Sequence, residues 1–171
     1  MKTTTRRILV LGGARSGKSR FAEGLAEPFP HRIYLATATA LDDEMRERIH
    51  QHRVQRSDGW RTIEEPMEIG RIIEAPRPHD HVVLVDCLTL WLSNLLLAGE
   101  DLEAATAALA HKVAQYEGNL ILVSNEVGLG LVPENALARR FRDAAGRLNQ
   151  AVAADCSDIY LICAGIPVRI K

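Results

Sequence analysis

Residues 8–19 read ILVLGGARSGKS, an apolar run that breaks into a glycine-rich turn. Ile8 to Leu11 is a continuous apolar run, the pattern of a strand buried on both faces. It runs into Gly12 to Ser19, which satisfies G-x-x-x-x-G-K-[ST] through Gly12, Gly17, Lys18 and Ser19. Ser19 to Ala26 then reads as a helix. Strand, glycine loop and helix in that order make a phosphate-binding loop. The glycines let successive N–H groups turn inward on phosphate oxygens, and the following helix adds its positive end. Gly12, Gly13, Ala14, Arg15, Ser16 and Gly17 form the cradle. Lys18 reaches the β and γ phosphates, and the Ser19 hydroxyl is a ligand for Mg2+. The expectation is a nucleoside triphosphate site.

Four more apolar runs have strand character: Arg32–Ala36, Val82–Val85, Leu120–Val123 and Ile159–Cys163. Val168–Ile170 is a sixth candidate. Helical patterns lie between them at Asp42–Gln55, Leu88–Leu97, Leu102–Tyr116 and Asn135–Ala154; in the last, Leu137, Phe141, Ala145, Leu148 and Val152 recur near a 3.6-residue period. Strands alternating with helices predict an α/β fold with a mostly parallel sheet covered on both sides. Ser57–Asp80, which holds Gly59, Pro66, Pro76 and Pro78, reads as an extended loop against the sheet. Pro167 after Gly165 predicts a short C-terminal hairpin. No repeat or linker interrupts the chain, so residues 1–171 are read as a single domain.

Composition sets limits without naming a function. Lys and Arg total 21 against 22 Asp and Glu, a net charge of −1, which argues against a dedicated nucleic-acid binder. A phosphorylated small molecule needs only a few well-placed cations and stays open. The three cysteines, Cys87, Cys156 and Cys163, form no C-x-x-C pair, so a reducing, cytoplasmic setting is expected rather than a disulfide framework or zinc site. Residues 1–7 carry no apolar core of a signal peptide. The longest apolar stretch, Cys87 to Ala98, is interrupted by Thr89, Ser93 and Asn94 and reaches roughly half of a membrane span.

A phosphate loop needs an acid to hold its metal. Asp86 directly follows VVLV, at the carboxyl end of a buried strand, where that acid belongs. The same residue also fits as an N-cap for the helix starting at Leu88, and the two roles can coexist. Asn125 and Glu126 end another strand and face the same edge by the crevice rule for open sheets. In LDDEMRERIHQHRVQR, residues 41–56, Arg48, His52 and Arg56 fall on one helical stripe, with His50 on another beside Arg46 and Arg53. Nearby cations depress a histidine pKa and keep its ring neutral, as nucleophilic attack on phosphorus requires. The spacing alone is equally that of a solvated, charge-rich helix. The motif by itself also fits a kinase of another small molecule, or a RecA-like ATPase or switch acting on a macromolecule.

Taken together, GGARSGKS, the LDDEM segment with its His-Arg pair, W-R-T-x-E-E-P at Trp60–Pro66, DCLTLWLSNLL at Asp86–Leu96 and SNEVGLGLVPENALARRFRDAAGRLNQ at Ser124–Gln150 resemble one family. It is the bifunctional adenosylcobinamide kinase / adenosylcobinamide-phosphate guanylyltransferase family of cobalamin biosynthesis, and the similarity runs from Ile8 to Lys171. The resemblance implies a P-loop NTPase (RecA-like) three-layer fold assembled as a homotrimer. It implies phosphorylation of adenosylcobinamide by ATP or GTP, then transfer of GMP from GTP through a guanylylated histidine to adenosylcobinamide phosphate. Aligned on the His-Arg pair, that histidine is His52. Family members often carry two adjacent histidines, whereas this chain has His50, Gln51 and His52, which makes His50 the second choice. The alignment also puts Thr39, Ala40, Leu41, Arg56, Ser57, Asp58, Gly59, Glu64 and Asp86 among nucleotide or metal contacts. A bulky corrin ring needs a broad cleft, with Leu129–Asn135 as its candidate lining.

Overall fold

The computed structural model describes residues 5–39, 47 and 59–171. Its seven strands are β1 (Arg7–Gly12), β2 (His31–Ala36), β3 (Trp60–Glu64), β4 (His81–Asp86), β5 (Asn119–Asn125), β6 (Asp158–Cys163) and β7 (Ile166–Arg169). The described helices are α1 (Lys18–Ala26), α2 (Ile69–Glu74), α3 (Leu88–Ala98), α4 (Leu102–Gln115) and α5 (Ala136–Asp155). The strands form one sheet in the order β3-β2-β4-β5-β1-β6-β7. All neighbours are parallel except β6 and β7, which pair antiparallel as the expected hairpin.

Alternation along each strand divides the core in two. Leu9, Ile33, Leu35, Val83, Val85, Leu120 and Leu122 pack with α2, α3, α4 and α5 on one face. Ile8, Val10, Tyr34, Val82, Leu84, Ile121 and Val123 pack with Ala22 and Ala26 of α1 on the other. The central strands are apolar on both sides because both sides are covered. This is the three-layer α/β arrangement.

Residues 59–80 correct the expectation of an extended loop. Trp60–Glu64 is the edge strand β3, and Ile69–Glu74 is a short helix. As an edge strand, β3 leaves three of its five residues exposed, so it lacks the apolar run that marks a buried strand. The turn between them is held by Glu65, whose Oε1 accepts from the backbone N–H of Met67 and Glu68. Those bonds, from Glu68 first, outweigh desolvation and hold its carboxyl below the usual value.

The two ends of the chain meet at Asp158. Its carboxylate accepts from Ser157 Oγ at 2.9 Å, Arg169 Nη2 at 2.8 Å and Arg6 Nε at 3.3 Å. Burial pulls this carboxyl's pKa upward. The hydrogen bonds from Ser157 and Arg6, with the charges of Arg6 and Arg169, prevail and hold it below the ordinary aspartate value. A lowered folded-state pKa contributes stability above the unfolded value and loses it as pH falls through the folded one. Both arginines are about half exposed, which places the effect toward the low end for bonds to a charged group. Asp158→Asn is expected to cost about 1–2 kcal/mol at pH 7. In urea titrations the gap to the wild type should close as pH falls through the acid range below about 4. A gap that does not narrow at all as the pH is lowered would remove the charge from the explanation.

Candidate active site

The phosphate loop is built by three neighbours. Gly12 closes β1, and a Cβ there would lie 2.5 Å from Ser16 Oγ and 2.8 Å from the Ile162 carbonyl oxygen, so no larger residue fits without moving the backbone of β6. Gly17 takes φ of 95°, a left-handed value that turns the chain into α1. From the other side, Gly165 N–H in the β6–β7 turn donates to Ser16 O at 2.9 Å. The C-terminal hairpin thus buttresses the loop. Ser16 Oγ is buried and has no hydrogen-bond partner among the described residues, a donor suited to an anion in the cradle. Lys18 Nζ donates to Gly13 O at 3.1 Å, so the ammonium lies over the loop.

Asp86 ends β4 at the same edge of the sheet. Val82 and Leu84 belong to the α1 face of the core, so by the two-residue period the Asp86 side chain points to that face too, the side from which Lys18 and Ser19 start. The capping role does not materialise: Cys87 holds the N-cap position of α3, and no side chain caps it. The carboxylate instead accepts a 2.6 Å hydrogen bond from the Tyr34 hydroxyl. The backbone around it is clamped by Thr37, fully buried. Thr37 N–H donates to Asp86 O, and Thr37 Oγ1 both donates to Cys87 O and accepts from Cys87 N–H. Sequence reading identified neither Tyr34 nor Thr37. Both act across strands, and their pairing with residues 86–87 depends on a register that spacing does not carry.

The donor set fits Mg2+. This ion is usually held by one or two side chains together with substrate phosphates and water. Asp86 and Ser19 are such a pair, and no cluster of three or more His, Cys, Asp or Glu side chains occurs among the described residues. The thiol beside the site is no nucleophile: burial, then the Asp86 charge, push the Cys87 pKa up to about 11. Cys156, buried elsewhere, is pushed to about 12, with burial again the main cause.

Asn125 and Glu126 stand at the same edge, with Glu126 N–H donating to Gly12 O at 3.0 Å. A buried polar network fixes their backbone. Thr89 Oγ1 accepts from Asn125 N–H and lies 3.2 Å from Ser124 Oγ, while Asn149 bridges Ser124 Oγ to Asn125 O. The loop that follows is apolar and open. Leu129, Leu131 and Val132 are exposed, and the loop is tied at its far end by Arg139 to Pro133 O and Glu134 O.

Thr39 lies just past β2 and Glu64 closes β3. Glu64 is level with Ala36, and Ala36 with Asp86, so these residues share the edge that carries the phosphate loop. Gly59 does not: it precedes β3, at the opposite edge, roughly 16 Å away by strand length. Ala40, Leu41, Arg48, His50, His52, Arg53, Arg56, Ser57 and Asp58 lie outside the described residues.

A family model described as cobinamide kinase / cobinamide phosphate guanyltransferase matches residues 8–170. The bifunctional adenosylcobalamin biosynthesis protein CobP of Pseudomonas aeruginosa is 46% identical, over 96% of this chain and 97% of that protein. The bifunctional adenosylcobalamin biosynthesis protein CobU of Escherichia coli is 42% identical and that of Salmonella typhimurium 43%, each over 96% of this chain and 99% of its own. Among solved structures, PH0250 of Pyrococcus horikoshii OT3 superposes with a TM-score of 0.55 at 13% identity, over 97% of this chain and 86% of that one. A prototypical ATPase from the type III secretion system of pathogenic bacteria gives 0.53 at 9% identity, over 91% and 50%. These two likenesses concern the fold.

Proposed function

The chain belongs to the cobinamide kinase / cobinamide phosphate guanyltransferase family and is a bifunctional transferase, and we propose that one triphosphate site serves both of its reactions. The observation that carries this reading is the phosphate loop at the end of β1, with Asp86 at the same edge. In the first reaction the aminopropanol hydroxyl of adenosylcobinamide attacks the γ-phosphorus of ATP or GTP, giving the phosphate ester and a nucleoside diphosphate. Backbone N–H groups of Gly13 to Ser19 grip the phosphates, and Lys18 meets the charge that builds on the transferred group. Asp86 and Ser19 would hold Mg2+, which when bound neutralises triphosphate oxygens. Thr39 and Glu64 add contacts from the same edge, and the family resemblance alone adds Ala40, Leu41, Arg56, Ser57 and Asp58 to the nucleotide contacts.

In the second reaction a ring nitrogen of His52 attacks the α-phosphorus of GTP and pyrophosphate leaves. A phosphate oxygen of adenosylcobinamide phosphate then attacks the same phosphorus, frees the histidine and yields adenosylcobinamide-GDP. Arg48, Arg53 and Arg56 neutralise the triphosphate as the bond breaks. The corrin ring rests on the exposed apolar surface of Leu129, Leu131 and Val132, which continues from Glu126 beside the loop. Exposed Leu97, Ile166, Val168 and Ile170 supply apolar surface for contact between subunits of a homotrimer. We read the chain as one domain working in the cytoplasm. No described helix is long and apolar enough to cross a membrane.

Two labels test the halves separately. With adenosylcobinamide and γ-labelled ATP, label should appear on the corrinoid. With adenosylcobinamide phosphate and α-labelled GTP, it should appear in adenosylcobinamide-GDP. A missing product removes the corresponding half.

A further inference from the structure

Tyr34 lies in the core of the α1 face, 4% exposed, opposite Leu84 in the register of β2 and β4. Its phenol runs along the sheet toward the carboxyl edge and ends on Asp86 Oδ2 at 2.6 Å. The ring is itself held. Trp60 of β3 meets it edge-on, with ring centroids 5.8 Å apart at 87°, and the Arg32 guanidinium covers Trp60 at 5.6 Å. β2 and the residue that follows it therefore fix the acid twice: Thr37 clamps the backbone around it, and Tyr34 fixes its carboxylate.

We propose that Tyr34 is a positioning residue for metal binding, setting the Asp86 rotamer so that Oδ2 is occupied and Oδ1 is presented toward the phosphate loop, with Trp60 holding Tyr34 in place. The proposal rests on the reading of Asp86 as the metal-holding acid. A free aspartate at a strand end samples several rotamers, and only some direct an oxygen to the metal. A buried phenol with two side-chain torsions, wedged against an indole, selects one of them before the nucleotide arrives. The group does this without touching substrate.

Tyr34→Phe keeps the ring and removes the donor. ATP affinity is measured by calorimetry with Mg2+ and with a chelator, on the full-length variant and beside Asp86→Asn. We expect Tyr34→Phe to bind ATP normally in chelator and to lose about tenfold of the affinity that Mg2+ adds. In turnover, the Mg2+ concentration for half-maximal rate should rise by a similar factor, with KM for the corrinoid unchanged. If Asp86→Asn retains the full Mg2+ effect, the reading of Asp86 fails first and takes the proposal with it. If Asp86→Asn loses that effect while Tyr34→Phe keeps it, the role given to Tyr34 is wrong. Loss of ATP affinity by Tyr34→Phe in chelator as well would show a general structural role and overturn the proposal too. Should Tyr34→Phe fail to fold, Trp60→Leu carries the test: it leaves the hydroxyl and removes its support. At least a threefold rise in the Mg2+ requirement is expected, and an unchanged requirement overturns the proposal.

Discussion

In Lys18→Ala, phosphoryl transfer to adenosylcobinamide falls by at least about a hundredfold at saturating ATP, while the folded state survives. Lys18 opens α1, and its ammonium lies over the phosphate loop, donating to Gly13 O at 3.1 Å. Two unit charges about 4 Å apart attract by roughly 4 kcal/mol at an effective dielectric near 20. Only the part of that attraction which grows toward the transition state accelerates the reaction. A share of about 2.7 kcal/mol is a hundredfold in rate. The fold has less at stake, because the side chain is half-buried at a helix start and alanine is the best helix former. Initial rates with γ-labelled ATP measure the first effect and a thermal melt the second. A rate within threefold of the wild type would mean that the phosphate loop is not the site of transfer.

How far the sequence reached depends on the range of the interactions involved. The phosphate loop is local: its strand, turn and helix are consecutive, and residues 7–26 fold as the motif predicts. The buried strands β4 and β5 are equally legible, because a sheet covered on both faces needs apolar residues at every position. Edge position hid β3, since Arg61, Thr62 and Glu64 face solvent and break the pattern. Tyr34 was invisible for a different reason. Its partner is 52 residues away, and only the β2–β4 register brings the two together. The Thr89–Ser124–Asn149 network joins α3, β5 and α5 across 25 and 35 residues and leaves no periodic trace. Asp86 shows how structure decides between readings that sequence left open. Spacing allowed a capping role, but the extended backbone at Cys87 takes the cap position and leaves the carboxylate to Tyr34.

His52→Ala should abolish guanylyl transfer and spare the kinase. The argument is one of chemistry at phosphorus. A nucleophile for the α-phosphorus must be unprotonated near neutral pH and a good enough leaving group to surrender GMP afterwards. The thiol beside the phosphate loop fails the first condition, since burial pushes Cys87 up to about 11. An imidazole meets both. The adduct is a phosphoramidate, labile in acid and stable in base, which separates it from an ester of Ser or Thr. With α-labelled GTP the wild-type chain should carry that label, and His52→Ala should fall to background, a loss of more than about a hundredfold for removal of a covalent nucleophile. His50→Ala should keep the label. Phosphorylation of adenosylcobinamide with γ-labelled ATP should stay within threefold in both variants, because the γ-phosphorus needs Lys18 and not a histidine. If His50→Ala loses the adduct and His52→Ala keeps it, the nucleophile belongs two residues earlier. If both variants keep it, the covalent step lies elsewhere on the chain.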